Sequence, residues 1–600
     1  MLKEKRARSR YGTYKHKRLC HKRSEIRLIR LKAAKAIRDV VHCDVFLVPL
    51  EHAPRFEAIS YAWGNTSDLR PIGINGDKHM LVSKSLESAL RYLRYQGKER
   101  LLWADAICIN QKDIPEKNKA VSKMHSVYQR AERAIVWLGS SSHPWSFQPI
   151  LDALEDEESN EDLFTWRCQI LTKPHRRARA IQGFAKLQWF FRGWVVQETC
   201  FAREVIGQYG KHAIPWRQIE HMVDRLSITA SGTMSGIMRP EGRLILRLMR
   251  VVSTLRNLRE HHHKMQPMDL AHMMAFSRTR MTSDPRDKVF AFVNLLSKIP
   301  SSLQPDYNRS TPGLFREVCR LLLDEIGLKL LAECEAPTNT GPGISHCRML
   351  SWVPDWSYTR QCEPFPGGLS LTHLGESYRA GSYGPASFVY SADSAILHLT
   401  GSIFATVVFL EPGGQNQLSD GVLQHTLWEN VTTRCQEAAA GTLLSSFTSS
   451  GCPAFTNHIL RMEHLDRTFE GEKTDDLESF HRARWPQNLR RVDGRSILLT
   501  SKGHLGWAPP AAVVGDFIAV FPGCHVPLVL RRVHVERFVD VNLVVEHDAC
   551  GCTQAICGAE ESAFYRIIGE AYVQGIMEGE ALASTDELSK DNKLEEIAIV

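Results

Sequence analysis

Residues 101–139 constrain the fold more than any other stretch. They read LLWADAICINQKDIPEKNKAVSKMHSVYQRAERAIVWLG. Leu101, Leu102 and Trp103 form an apolar run long enough for a buried strand and too short for a helix. Asp105, a poor strand residue, ends it, and Ile107 to Lys112 read as a loop. Asp113 is placed to cap a helix: Glu116 follows three residues on, as in a capping box, and Pro115 is tolerated in a first turn. Val121, Met124, Val127, Tyr128 and Ala131 then define one apolar helical face. Ala134 to Leu138 is a second apolar strand, stopped by Gly139. Strand, loop, helix and strand in so short a span make a βαβ unit, which predicts a parallel sheet.

Upstream lie Phe56-Glu-Ala-Ile-Ser-Tyr-Ala-Trp-Gly64, Asn75-Gly76 and Leu86 to Leu93; downstream lies Arg192-Gly-Trp-Val-Val-Gln-Glu198. In this order, with LWADAICINQ, Glu116-Lys-Asn118 and AIVWLG, these motifs resemble the fungal HET (heterokaryon incompatibility) domain between residues 54 and 216. Ala120 stands where the family usually has Gln. Asp284-Pro-Arg-Asp-Lys-Val-Phe-Ala-Phe292 resembles a stretch that commonly follows the domain. HET domains in turn resemble TIR domains, doubly wound parallel-sheet modules of which several cleave NAD. The resemblance implies non-self recognition and programmed cell death. It also singles out Trp194-Val-Val-Gln-Glu198, because TIR domains carry their catalytic glutamate in a Trp-x-x-x-Glu segment on a helix.

NAD cleavage suits a single carboxylate. Nicotinamide is cationic in NAD and leaves as a neutral amide without a general acid. The ribosyl oxocarbenium left behind needs a negative charge beside it. Glu198 is the candidate catalytic residue, one helical turn from Trp194 and on the same face. Tyr61, Trp63 and Trp194 are candidates to stack a ring. Trp63, Gly64, Asn65, Asp105 and Asn110 fall beyond strand carboxyl ends, where open α/β sheets bind ligands. The competing reading places Trp194 in the core and Glu198 at its rim. The domain is then a non-enzymatic module that self-associates or recruits another incompatibility protein.

Six hundred residues exceed one hydrophobic core. The expected organisation is a basic disordered arm (1–40), a TIR-like α/β HET domain (41–216), a helical region (217–334), a β-rich region with loops and insertions (335–580) and an acidic disordered tail (581–600). Residues 1–38 hold 15 Lys/Arg against 2 Glu, whereas the whole chain is +8, so the remainder is −5. The basicity therefore belongs to the arm, a candidate for nuclear import or weak nucleic-acid contact. Deleting it is expected to leave the body folded. No apolar run reaches the ~18 residues of a membrane span, and the N-terminus lacks the apolar core of a secretory signal. Fifteen scattered cysteines fit free thiols in an intracellular protein, cytoplasmic or nuclear. No Walker loop, HExxH or GxSxG is present. His261-His262-His263 with His272, and Cys550, Cys552 and Cys557, lack the partners of a metal site. Cys108 reads as a buried thiol. No cofactor is expected; NAD enters only as substrate.

Overall fold

The computed structural model describes the chain outside residues 1–11, 21–22, 65–66, 141–175, 229–239, 265–267, 339–348, 413–493, 534–562, 578, 583–593 and short gaps within 359–394. It divides into two compact units, residues 1–269 with 279–308, and residues 270–278 with 309–600. The helical stretch expected at 217–334 is therefore shared between them. Cys550, Cys552, Cys557 and the acidic run at 151–162 lie outside the described residues.

The first unit is built on a ten-stranded sheet ordered β1-β6-β5-β3-β2-β7-β4-β8-β9-β10. Its strands are β1 (Gly12–Thr13), β2 (Glu25–Leu31), β3 (His42–Pro49), β4 (Glu57–Tyr61), β5 (Leu69–Ile74), β6 (Lys78–Ser83), β7 (Arg100–Trp103), β8 (Ala134–Gly139), β9 (Val205–Tyr209) and β10 (His212–Pro215). Its helices are α1 (Lys84–Leu93), α2 (Asp105–Cys108), α3 (Ile114–Ser122), α4 (Met124–Arg130), α5 (Arg176–Ala185), α6 (Val195–Cys200), α7 (Trp216–Ile228) and α8 (Pro240–His263).

Strands β7, β4, β8 and β9 run parallel. They are almost wholly buried, as strands covered on both faces are. Counted from β4, they follow the order 2-1-3-4 of a doubly wound sheet. The chain steps from β4 to β7 on one side and then to β8 on the other side of β4, the reversal of order at which open α/β sheets bind ligands beyond the strand carboxyl ends. Two helices of this unit are capped by side chains. Ser83 caps α1 through the Leu86 N–H, and Leu86, Leu90 and Leu93 are buried. Asp113 caps α3 through the Glu116 N–H.

Three expectations for this unit need correcting. The sheet is mixed, not wholly parallel: β2 pairs antiparallel with β3 and β7, β5 with β6, and β9 with β10. Residues 1–40 are not simply a disordered arm, because β2 lies inside the sheet with Leu28, Ile29 and Leu31 buried. Its charge hid it. Arg27 is only 1 % exposed and forms a bidentate pair with Glu116, at 2.6 and 3.0 Å. Finally, the helix expected after Asp113 is two helices, broken at Lys123 (φ −105, ψ 3). Glu116 does not close a capping box; its carboxylate goes to Arg27 and to the Asn110 N–H.

The second unit contains helices α9 (Leu270–Arg278) and α11 (Thr311–Ile326); the short α10 (Asp287–Phe290) belongs to the first unit. Ser310 caps α11 through the Gly313 N–H. The β-rich region comprises β11 (Phe388–Tyr390), β12 (Leu397–Pro412), β13 (Ser496–Thr500), β14 (Leu505–Ala508), β15 (Phe517–Val520), β16 (Leu528–Val533), β17 (Phe564–Glu570), β18 (Tyr572–Val573) and β19 (Glu595–Ile599). Strands β15-β16-β17-β19-β12 close on themselves through a β12–β15 pairing, making a barrel. Irregularities at Ile403/Ala405 and Val407/Phe409 let the long β12 also pair with β13. Trp352 and Trp356 are fully buried packing residues. Residues 581–600 are not wholly a disordered tail. Ile597 and Ile599 are buried in β19, which pairs with β12 and β17. An acidic surround masked this short apolar alternation.

Candidate active site

Every residue of β4 is buried, so the hydroxyl of Ser60 requires partners. The Trp189 indole N–H donates to it at 2.7 Å, and Ser60 donates to Oε2 of Glu198. Glu198 sits on α6 and is 3 % exposed. Its other oxygen lies 3.8 Å from the Arg192 guanidinium, which also donates to the Tyr61 carbonyl. Burial pushes the Glu198 carboxyl up to about 7; Arg192 and the Ser60 hydrogen bond oppose the rise, and the charge of Asp105 adds to it.

Asp105 is the second carboxyl of the cluster. It follows the end of β7 and accepts from the Tyr61 hydroxyl at 2.9 Å, the Trp63 indole at 3.0 Å and the Ala106 N–H at 2.7 Å. Trp63 is 37 % exposed and forms the outer edge. Tyr61 is 2 % exposed and presents a hydroxyl to Asp105, not a ring face to a ligand. Thus Glu198, Ser60, Arg192, Tyr61, Asp105 and Trp63 form a connected group at the carboxyl ends of β4 and β7.

The structure does not join the other predicted residues to this group. Trp194 donates to Asp287 at 3.0 Å, although the Glu198 N–H reaches the Trp194 carbonyl at 3.2 Å as helical spacing requires. Asn110 meets Glu116 through its backbone. Gly64 adopts φ +70 on the surface, and Asn65 lies outside the described residues. Glu198 is buried instead of lying at a rim.

Ser60, Trp189 and Arg192 were not foreseen. Ser60 carried a usable signal, a hydroxyl amid apolar strand residues. Cys108 is buried and its thiol is pushed well up by burial, against nucleophilic use. Among the described residues no group of three or more His, Cys, Asp or Glu is placed to hold a metal, and no helix is long and apolar enough to cross a membrane. A cavity of about 450 Å³ lies elsewhere, lined by Arg203, Trp216, Glu220, Arg256 and Arg259 among others. It includes none of the predicted site residues. The hydrogen-bonded cluster at the sheet switch point is the better-founded candidate, because its groups converge on one buried carboxyl.

Residues 56–198 match the family model "Heterokaryon incompatibility protein (HET)", a span that contains the whole cluster and ends on Glu198. Residues 465–551 match the Het-6 beta-barrel domain, and β13 to β16 fall within them. The α/β unit therefore carries a HET domain, and the chain is a HET-domain protein. It is similar to "Heterokaryon incompatibility protein 6, OR allele" of Neurospora crassa, with 23% identity over 94% of this chain and 95% of that protein. No solved structure matches.

Proposed function

We propose that the chain acts in heterokaryon incompatibility, and that its α/β unit is a TIR-like module that hydrolyses the N-glycosidic bond of NAD. The first part is supported by similarity to the Neurospora protein over nearly the full length of both chains. The second is supported by one observation above others: a carboxyl raised to about 7 in a polar cluster at the switch point of the parallel strands, where functional groups with perturbed pKa values gather. In this reading the C1′–N bond breaks and nicotinamide departs with the bonding electrons. Ionised Glu198 stabilises the ribosyl cation, and water adds to C1′ and releases a proton. Arg192 keeps a fraction of Glu198 charged; Trp63 and Asp105 form the accessible edge.

A second reading, a self-associating module without turnover, draws on a different observation. Glu198 is 3 % exposed and both of its oxygens already have partners within the protein.

Glu198→Gln separates the two, because it keeps size and hydrogen bonding and removes the charge. The catalytic reading expects nicotinamide release to fall about 10²–10³-fold, with cell killing falling in parallel. It also expects wild-type turnover to rise with pH through about 7, since the carboxylate is the active form and its ionisation lies there. Full killing by Glu198→Gln in cells whose NAD stays constant would remove the catalytic reading and leave the module.

A further inference from the structure

We infer that Asp287, with the segment 281–307 around it, positions Glu198 by fixing α6. This segment lies outside the stretch matched as HET, and the turnover part of the inference rests on the catalytic reading above.

Helix α6 has six residues and no side-chain cap at its N-terminus, so its placement must come from tertiary partners. Those on one side belong to β4 and its neighbours, as described for Glu198. Helix α6 also packs against α4 and α8, but its side-chain hydrogen bonds away from the sheet go to residues 281–307. Trp194 donates to Oδ2 of Asp287 at 3.0 Å, and Tyr307 donates to Oδ1 at 2.6 Å. Both oxygens of a buried carboxylate are thus spent on holding. Gln197 donates to the Phe290 carbonyl at 3.2 Å and accepts from Asn294 at 3.1 Å.

The backbone entering α6 is held as well. The Gly193 N–H donates to the Met281 carbonyl at 2.9 Å. A Cβ on Gly193 would stand 3.0 Å from the Thr282 methyl, an approach that leaves little room for a side chain. Tyr307 is itself fixed, its N–H donating to Asn118 at 2.9 Å and its ring centre 3.6 Å from the Lys117 ammonium. Asp287 acts through Trp194 and is a positioning residue.

The test compares Asp287→Ala with Asp287→Asn in the full chain. Asparagine can accept from Trp194 through its amide oxygen and donate to the Tyr307 hydroxyl through its amide nitrogen; alanine can do neither. Two readouts are taken. The first is the indole N–H resonance of Trp189, which reports on Ser60 and so on Glu198, and needs no turnover. The second is kcat and KM for NAD. Asp287→Ala is expected to move the Trp189 resonance and to lower kcat about 10–10²-fold with KM within about twofold. Asp287→Asn is expected to restore both. An unmoved Trp189 resonance in Asp287→Ala overturns the inference, as does a loss that asparagine fails to rescue. Should the alanine variant not fold, Asn294→Ala releases α6 through Gln197, and an unmoved Trp189 resonance there overturns it equally. If the wild type shows no turnover while the Trp189 resonance still moves, the positioning stands and the catalytic reading alone fails.

Discussion

Arg27 illustrates how a charged residue can belong to a core. It donates to Glu116 through both terminal nitrogens and to the carbonyls of Cys108 and Lys17. Burial acts against the Glu116 charge, but Arg27 and the Asn110 N–H hold that carboxyl below its ordinary range. The pair's contribution is therefore present above the ordinary glutamate range and is lost as pH falls through the lowered value. Arg27→Met leaves Glu116 buried without its cationic partner and is expected to cost about 3–5 kcal/mol. Arg27→Met with Glu116→Leu should lose less than Arg27→Met alone, because the orphaned charge is gone. Urea unfolding of the three proteins checks this; a double variant weaker than Arg27→Met would show that neutral packing matters more than the charge. Composition concealed this residue: a run of positive charge reads as a solvated arm unless its partner is known, and Glu116 is far away in sequence. Ser60 was legible in principle, whereas the choice of Trp194 between Glu198 and Asp287 depends on a segment whose proximity no local pattern reports.

At the scale of elements, periodicity reported faces well and continuity poorly. Val121, Met124, Val127 and Tyr128 are all buried as their spacing predicts, yet the backbone breaks at Lys123 between α3 and α4. An apolar face can pass across a kink because burial depends on direction, not on an unbroken ladder of hydrogen bonds. The strands of the central βαβ unit were legible because each is a continuous apolar run. Antiparallel β2 was not, since Arg27 and Arg30 interrupt its apolar residues. Trp137 tests this layer. It lies in β8 opposite Tyr61 of β4, is 4 % exposed and packs 5.6 Å from the ring of Tyr92. Trp137→Ala should cost about 3–5 kcal/mol and lower the Tm of the HET domain. An unchanged melting curve would mean that this strand does not carry the core.

For the molecule as a whole, the barrel depends on strands far apart in the chain. β19 lies between β17 and β12, and the carbonyl of Val600 accepts from the backbone N–H of Ser351 at 3.1 Å. Removing residues 595–600 should open the barrel and make β12 and β17 susceptible to limited proteolysis. Unchanged resistance of both strands would contradict the closure. The closure also has a consequence in time. Leu397 pairs with Ile599, so a ribosome has made β12 long before it makes that partner. Throughout the interval β12 presents backbone donors and acceptors to any extended chain nearby, the situation in which strand edges aggregate. A nascent chain of this protein is thus adhesive until residues 595–599 emerge, and chaperones that shield exposed strand edges have their longest task here at this one seam.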